Sequence, residues 1–246
     1  MQKHTFSNGF TTDFEYIQAD FSNNAEITLV YTHGFCADPW GRKPDEIKEW
    51  CAKHNISFYR YELAGHGSDA ANIEKADFNI WKEQLLEIID SLSGKIILAG
   101  ASLGGWLSLK AATLRPERVC GILGLAAAPD FTKDNADYVT EAQKQELENT
   151  GKLVMDNEGF KIVITQQLID TGNQNLMLDK PYIGINCKTV LIQGMEDDSV
   201  YWPKALKIAE KIQGQEVMVK LLKGSNHRLN TDSDIKEILS ALDSLI

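Results

Sequence analysis

From Ile27 onward, short apolar runs alternate with longer amphipathic stretches, and this alternation restricts the chain to a mostly parallel sheet with helices packed on its faces. The apolar runs at Ile27 to Thr32, Ile56 to Tyr61, Lys95 to Ala99, Val119 to Leu125, Thr189 to Gln193 and Val217 to Leu222 read as strands. Between them, Phe78, Trp81, Leu85, Ile88, Ile89 and Leu92 recur at helical spacing behind Asp77, a good N-cap. Ile235, Ile238, Leu239, Leu242 and Ile246 repeat that spacing in the last helix. Ahead of Ile27, Lys3 to Phe6 and Phe14 to Gln18 read as two short strands broken by Asn8-Gly9, a hairpin signal, and predict an antiparallel edge.

The alternation fails between Pro129 and Pro181. That segment is too long for a loop and too short for an independent domain, so it reads as a mainly helical cap, residues 130–182, within one domain spanning 1–246. It contains a charged helix near Asp134 to Asn149, then Leu153 to Ile164 with a turn at Asn157-Glu158-Gly159, then Gln166 to Gly172.

A formal charge of −10 disfavours nucleic acid and anionic lipid surfaces as partners. The N-terminal stretch Met1 to Asn8 lacks the apolar core of a signal peptide and no run is long enough to cross a bilayer, so a cytoplasmic location without membrane insertion is expected. Cys36, Cys51, Cys120 and Cys187 are widely spaced and read as free, mostly buried thiols rather than a metal clip or a disulfide framework. A monomer or weak homodimer is expected.

Chemistry enters at Gly100-Ala101-Ser102-Leu103-Gly104, which joins the strand Lys95 to Ala99 to a helical stretch from Leu103 to Leu114. Gly-x-Ser-x-Gly at such a corner is a nucleophile elbow, and the helix behind it turns backbone N–H groups toward the serine. A serine needs a base, the base an orienting acid, and the oxyanion donors. His227 follows the last strand in Gly224-Ser225-Asn226-His227-Arg228-Leu229 and so reaches the same sheet edge as Ser102, whereas His33 and His66 belong to glycine turns and His4 and His54 to no such loop. Among Glu196, Asp197 and Asp198, spacing favours Asp197, three residues after Gly194; Asp130 is a remote option. Oxyanion donors are expected from the N–H of Leu103 and, in His33-Gly34-Phe35, from the N–H of Phe35. Gly65-His66-Gly67-Ser68 reads as a structural turn.

Taken in order, His33-Gly34-Phe35, Gly65-His66-Gly67-Ser68, Gly100-Ala101-Ser102-Leu103-Gly104, Asp197 and His227 resemble the α/β-hydrolase superfamily from about Ile27 to the C-terminus. Ser102-Leu103-Gly104-Gly105-Trp106-Leu107, Arg115-Pro116-Glu117-Arg118-Val119, Gly194 to Trp202, His227-Arg228-Leu229 and the cap stretch Ile164 to Gly172 are similar to the abhydrolase group of palmitoyl-protein thioesterases of bacteria and mitochondria. Asn226 stands where an acidic residue is expected, and Glu62 where hydrolases often carry aspartate.

The resemblance implies an α/β-hydrolase fold and a serine hydrolase that cleaves acyl thioesters and activated oxygen esters with no metal or organic cofactor. Small ester or acyl-thioester molecules are the expected substrates, acylated protein being a further class. Phe35, Met155, Leu168 and Met177 are candidates to contact the acyl group. Two other readings are a carboxylesterase for small or carrier-linked acids, with Arg228, Lys133, Lys161 and Lys180 as a basic rim, and a hydrolase-fold ligand-binding protein with little turnover.

Overall fold

The computed structural model describes residues 1–20, 26–134, 139–157 and 160–246. Its organising strand is β5 (Lys95–Ala101), whose side chains alternate between two cores: Ile96 and Leu98 enter one, Ile97 and Ala99 the other. A strand apolar on both faces must be covered on both, which is why no polar alternation marks it. The helices α2 (Phe78–Ser91) and α3 (Leu103–Leu114) supply Trp81, Leu85 and Trp106 to the first core. The second receives Ile47, Trp50 and Cys51 from α1 (Arg42–Lys53), and Ile235, Ile238 and Leu242 from α8 (Asp232–Asp243).

The other strands are β1 (Gln2–Thr5), β2 (Thr11–Ile17), β3 (Ile27–Thr32), β4 (Ser57–Tyr61), β6 (Val119–Leu125), β9 (Lys188–Gly194) and β10 (Val217–Leu222), giving an eight-stranded sheet ordered β1-β2-β4-β3-β5-β6-β9-β10. The expected edge hairpin is present: β1 and β2 pair antiparallel and β2 pairs antiparallel with β4, while all later neighbours are parallel. Parallel strands with helical crossovers end their chains at one edge of the sheet, so the loops after β3, β5, β9 and β10 converge there.

The segment 130–182, expected to form a mainly helical cap, departs from that character over Leu153 to Ile164. Besides the helices α4 (Phe131–Asp134), α5 (Glu141–Thr150) and α6 (Gln166–Asn173), it contains an antiparallel hairpin of β7 (Lys152–Asn157) and β8 (Phe160–Thr165). Consecutive β-branched residues at Ile162, Val163 and Ile164 favour extended backbone over helix. Glu158 and Gly159, where a turn is expected, lie outside the described residues, as do 135–138 of the expected charged helix. The remaining helix, α7 (Pro203–Lys211), packs Ile208 into the first core. No helix among the described residues is long and apolar enough to cross a membrane. All four cysteines are free thiols, with Cys51 buried and Cys36 exposed.

Candidate active site

Ser102 sits between β5 and α3 with φ 52° and ψ −115°, a conformation that costs a non-glycine residue about 1–3 kcal/mol. Its backbone is held on both sides: its N–H donates to Leu125 O at 2.9 Å, and its carbonyl accepts from Gly105, Trp106 and Ala128. The flanking glycines are required by close approach. A Cβ at Gly104 would stand 2.1 Å from Thr32 O, and one at Gly100 would stand 2.2 Å from Gly104 O. Although Ser102 is the N-cap of α3, its hydroxyl makes no capping bond.

The loop after β3 is fixed by two histidine rings. His33 Nε2 accepts the Leu63 N–H at 3.0 Å, which leaves the proton on Nδ1 to donate to Gly34 O at 2.8 Å. His66 Nε2 accepts the Cys36 N–H at 3.1 Å while its Nδ1 donates to Ala64 O. Both rings are therefore neutral: burial lowers His33 to about 3, with His66 adding repulsion, and burial likewise lowers His66. Phe35 lies between these anchors, its ring against His66, Trp81 and Phe131. Among the described residues, neither its N–H nor that of Leu103 donates to a protein acceptor.

The loops after β9 and β10 are joined at Gly194, where a Cβ would lie 2.2 Å from Ser225 O. Glu196 N–H completes the junction by donating to Ser225 O at 2.9 Å. This contact brings His227 Nδ1 within 2.8 Å of Asp197 Oδ2. Oδ1 of Asp197 accepts the N–H groups of Ser199 and Val200, and Oδ2 also accepts Gln193 Nε2–H at 2.7 Å. Burial alone would raise this carboxyl, but the bonds from His227, Val200 and Ser199 outweigh it and hold the group below its ordinary value. Its neighbours are engaged otherwise: Asp198 accepts from the Ser199 hydroxyl and Glu196 is exposed. Asp130 does not serve the imidazole either. Its carboxylate accepts the N–H groups of Met177 and Leu178, both at 2.8 Å, and so ties the end of the cap to the sheet edge.

Ser102, His227, Phe35 and Gly34 line one cavity of about 600 Å³, roofed in part by Ile162 of the cap hairpin. Met155 is directly opposite Ile162 in the hairpin register and shares its face. Leu168 and Met177 are instead packed into the first core, 2 % and 3 % exposed. One contributor escapes sequence reading: Gln193, whose only signal is an amide ending an apolar run. Among the described residues no group of three or more His, Cys, Asp or Glu side chains is placed to hold a metal ion.

Residues 29–240 match the model of the alpha/beta hydrolase family. The chain belongs to that family. Over 222 residues this hydrolase is 33% identical to the mitochondrial palmitoyl-protein thioesterase ABHD10 of Pongo abelii, covering 89% of this chain and 72% of the relative. Among solved structures, the hydrolase superposes on alpha/beta hydrolase domain-containing protein 10 from mouse with a TM-score of 0.87 at 27% identity, covering 99% of this chain and 97% of that one. A putative hydrolase from Agrobacterium vitis S4 gives a TM-score of 0.92 at 25% identity, covering 100% and 98%.

Proposed function

We propose that the protein hydrolyses carboxylic esters or acyl thioesters through an acyl-enzyme on Ser102. The observation that carries this reading is the 2.8 Å bond between His227 Nδ1 and Asp197 Oδ2 at the wall of the cavity that Ser102 also lines. Bonded through Nδ1 to a carboxylate, the imidazole carries its proton there and offers Nε2 as the base. His227 takes the Ser102 proton as Oγ attacks the acyl carbon, then returns it to the leaving alcohol or thiol. Asp197 stabilises the imidazolium formed between these transfers. The N–H groups of Phe35 and Leu103 receive the oxyanion. Water then attacks the acyl-enzyme by the same route and releases the acid.

The relatives named palmitoyl-protein thioesterase support an acyl thioester as one substrate class. Phe35 and Ile162 form the apolar side where an acyl chain would lie, with Met155 beside Ile162 on the same face of the hairpin.

Hydrolysis of p-nitrophenyl esters and acyl thioesters with chains of about two to sixteen carbons tests the reading, with Ser102→Ala as control. The expected loss in kcat is about 10⁴- to 10⁶-fold. Turnover retained in Ser102→Ala would overturn it. Absence of Ser102-dependent turnover on every substrate would favour a ligand-binding role.

A further inference from the structure

The cavity beside Ser102 is charged opposite to the protein as a whole. The chain carries a formal −10, yet the lining residues include Arg42, Lys43 and Arg228 against a single carboxylate, Asp38. The expected rim of Lys133, Lys161 and Lys180 is not part of this lining, and Lys133 pairs with Asp179 at 2.6 Å. Lys43 and Arg228 belong to no ion pair among the described residues. The Lys43 ammonium donates to Arg228 O at 2.6 Å, and Arg42 donates to Asn230 O, so both cations are fixed against the loop that carries His227. Asp234, the acid whose field reaches Lys43, is engaged by Ser225 Oγ and the Thr231 N–H; Arg42 shares its charge with exposed Asp232. Burial without a paired carboxylate lowers Lys43 to about 8. The N-terminus of α1, which has no side-chain cap, opens beside these residues.

The side of the cavity on which the cations stand decides what they recognise. His227 returns its proton to the leaving atom, so the leaving group lies on the His227 side, and Arg228 is the next residue. The apolar Phe35 and Ile162 remain for the acyl side. We propose that the leaving group of the natural substrate carries a phosphate a few bonds from the scissile oxygen or sulfur, recognised by Lys43, Arg228 and Arg42. Lys43 and Arg228, neither of them held in an ion pair among the described residues, offer two cations to the two charges of a phosphate dianion, with Arg42 beside them still shared with Asp232. The reaction remains a hydrolysis: the Ser102 Oγ–acyl bond forms as the bond to the phosphorylated alcohol or thiol breaks, that group leaves with the proton from His227, and water then replaces Oγ on the acyl carbon.

The inference rests on the hydrolase reading, and matched substrates separate the two. Values of kcat/KM are compared for 1-hexanoylglycerol, its 3-phosphate and the corresponding hexanoyl ester of glycerate, in wild type, Arg228→Gln and Lys43→Gln/Arg228→Gln. Wild type should prefer the phosphate over the neutral ester by about tenfold or more, mainly through KM, and the ratio should fall to about twofold in the double variant. Because each ratio is taken within one protein, it does not depend on the fraction folded. Equal rates on phosphate and neutral ester, a preference that survives both variants, or a larger preference for glycerate would each overturn the phosphate assignment. If no ester is cleaved in a Ser102-dependent way, the hydrolase reading fails instead; calorimetric binding of glycerol 3-phosphate, weakened in Arg228→Gln, then supports the anion site, and binding that is absent or unchanged overturns it.

Discussion

Asp197 Oδ2 lies 2.8 Å from His227 Nδ1 although thirty residues of chain separate them, and the carboxylate side chain is fully buried. The pairing depends on Gly194, where the loops after β9 and β10 come into backbone contact without room for a Cβ.

Replacing Asp197 by Asn keeps the shape but removes the charge. The amide can present N–H to Nδ1, which moves the imidazole proton to Nε2 and, in the proposed mechanism, leaves Ser102 without a base. We expect kcat on a p-nitrophenyl ester to fall about 10⁴-fold with KM little changed. A fall below tenfold, in protein shown to be folded by circular dichroism, would count against this role for Asp197.

The neutral histidines behind the β3 loop make stability depend on pH. His33 and His66 are 1 % and 4 % exposed, and burial lowers both, His33 to about 3. Below an unfolded-state value near 6.5, the unfolded chain takes up protons that the folded rings refuse. Their contribution is therefore complete above pH about 6.5 and is lost as pH falls toward the folded values, with a slope of about 1.4 kcal/mol per pH unit for each ring. Urea midpoints measured between pH 4 and 8 should decline from about 6.5 rather than only in the carboxylate range, and His33→Gln should flatten that decline. A midpoint constant down to pH about 5 would contradict it.

Gly104→Ala is expected to destabilise the elbow. Its Cβ would stand 2.1 Å from Thr32 O and 2.6 Å from His33 O, both backbone atoms that cannot swing aside. Relieving the clash separates α3 from the β3 loop, at a cost of about 1–3 kcal/mol or more and with lost alignment of Ser102. Thermal denaturation and esterase assays would register both effects; an unchanged Tm would show that the loop yields more easily than the contact implies.

On the cap, Ile162→Trp should discriminate by acyl length. Ile162 lines the cavity and Met155 faces it across the hairpin, so a bulkier side chain there narrows the apolar side. The kcat/KM for long-chain p-nitrophenyl esters should fall about tenfold more than for the acetate, in line with a few lost apolar contacts. Equal effects on all lengths would place the acyl chain elsewhere.

Much of this architecture was legible because it is locally encoded. The apolar runs, the Asp77 cap and the Gly-x-Ser-x-Gly corner each express a short-range preference of backbone or side chain, and the sheet, α2 and the Ser102 turn follow them. The hairpin over Lys152–Asn157 and Phe160–Thr165 was not, since its apolar residues suit a buried helix and a strand alike and the choice falls to packing. Likewise the sequence could favour Asp197 among three adjacent acids, but only the junction at Gly194 aims that carboxylate at His227, and only the folded cap takes Asp130 away to Met177 and Leu178. Sequence by itself determined the order along the chain of the eight strands of the main sheet and the serine turn between β5 and α3, because these rest on contacts a few residues long. Tertiary structure decided the partners of Asp197 and Asp130, the neutral tautomers of His33 and His66, and the docking of Lys43 on Arg228 O and of Arg42 on Asn230 O, because each brings together groups far apart in the chain whose approach is set by the sheet.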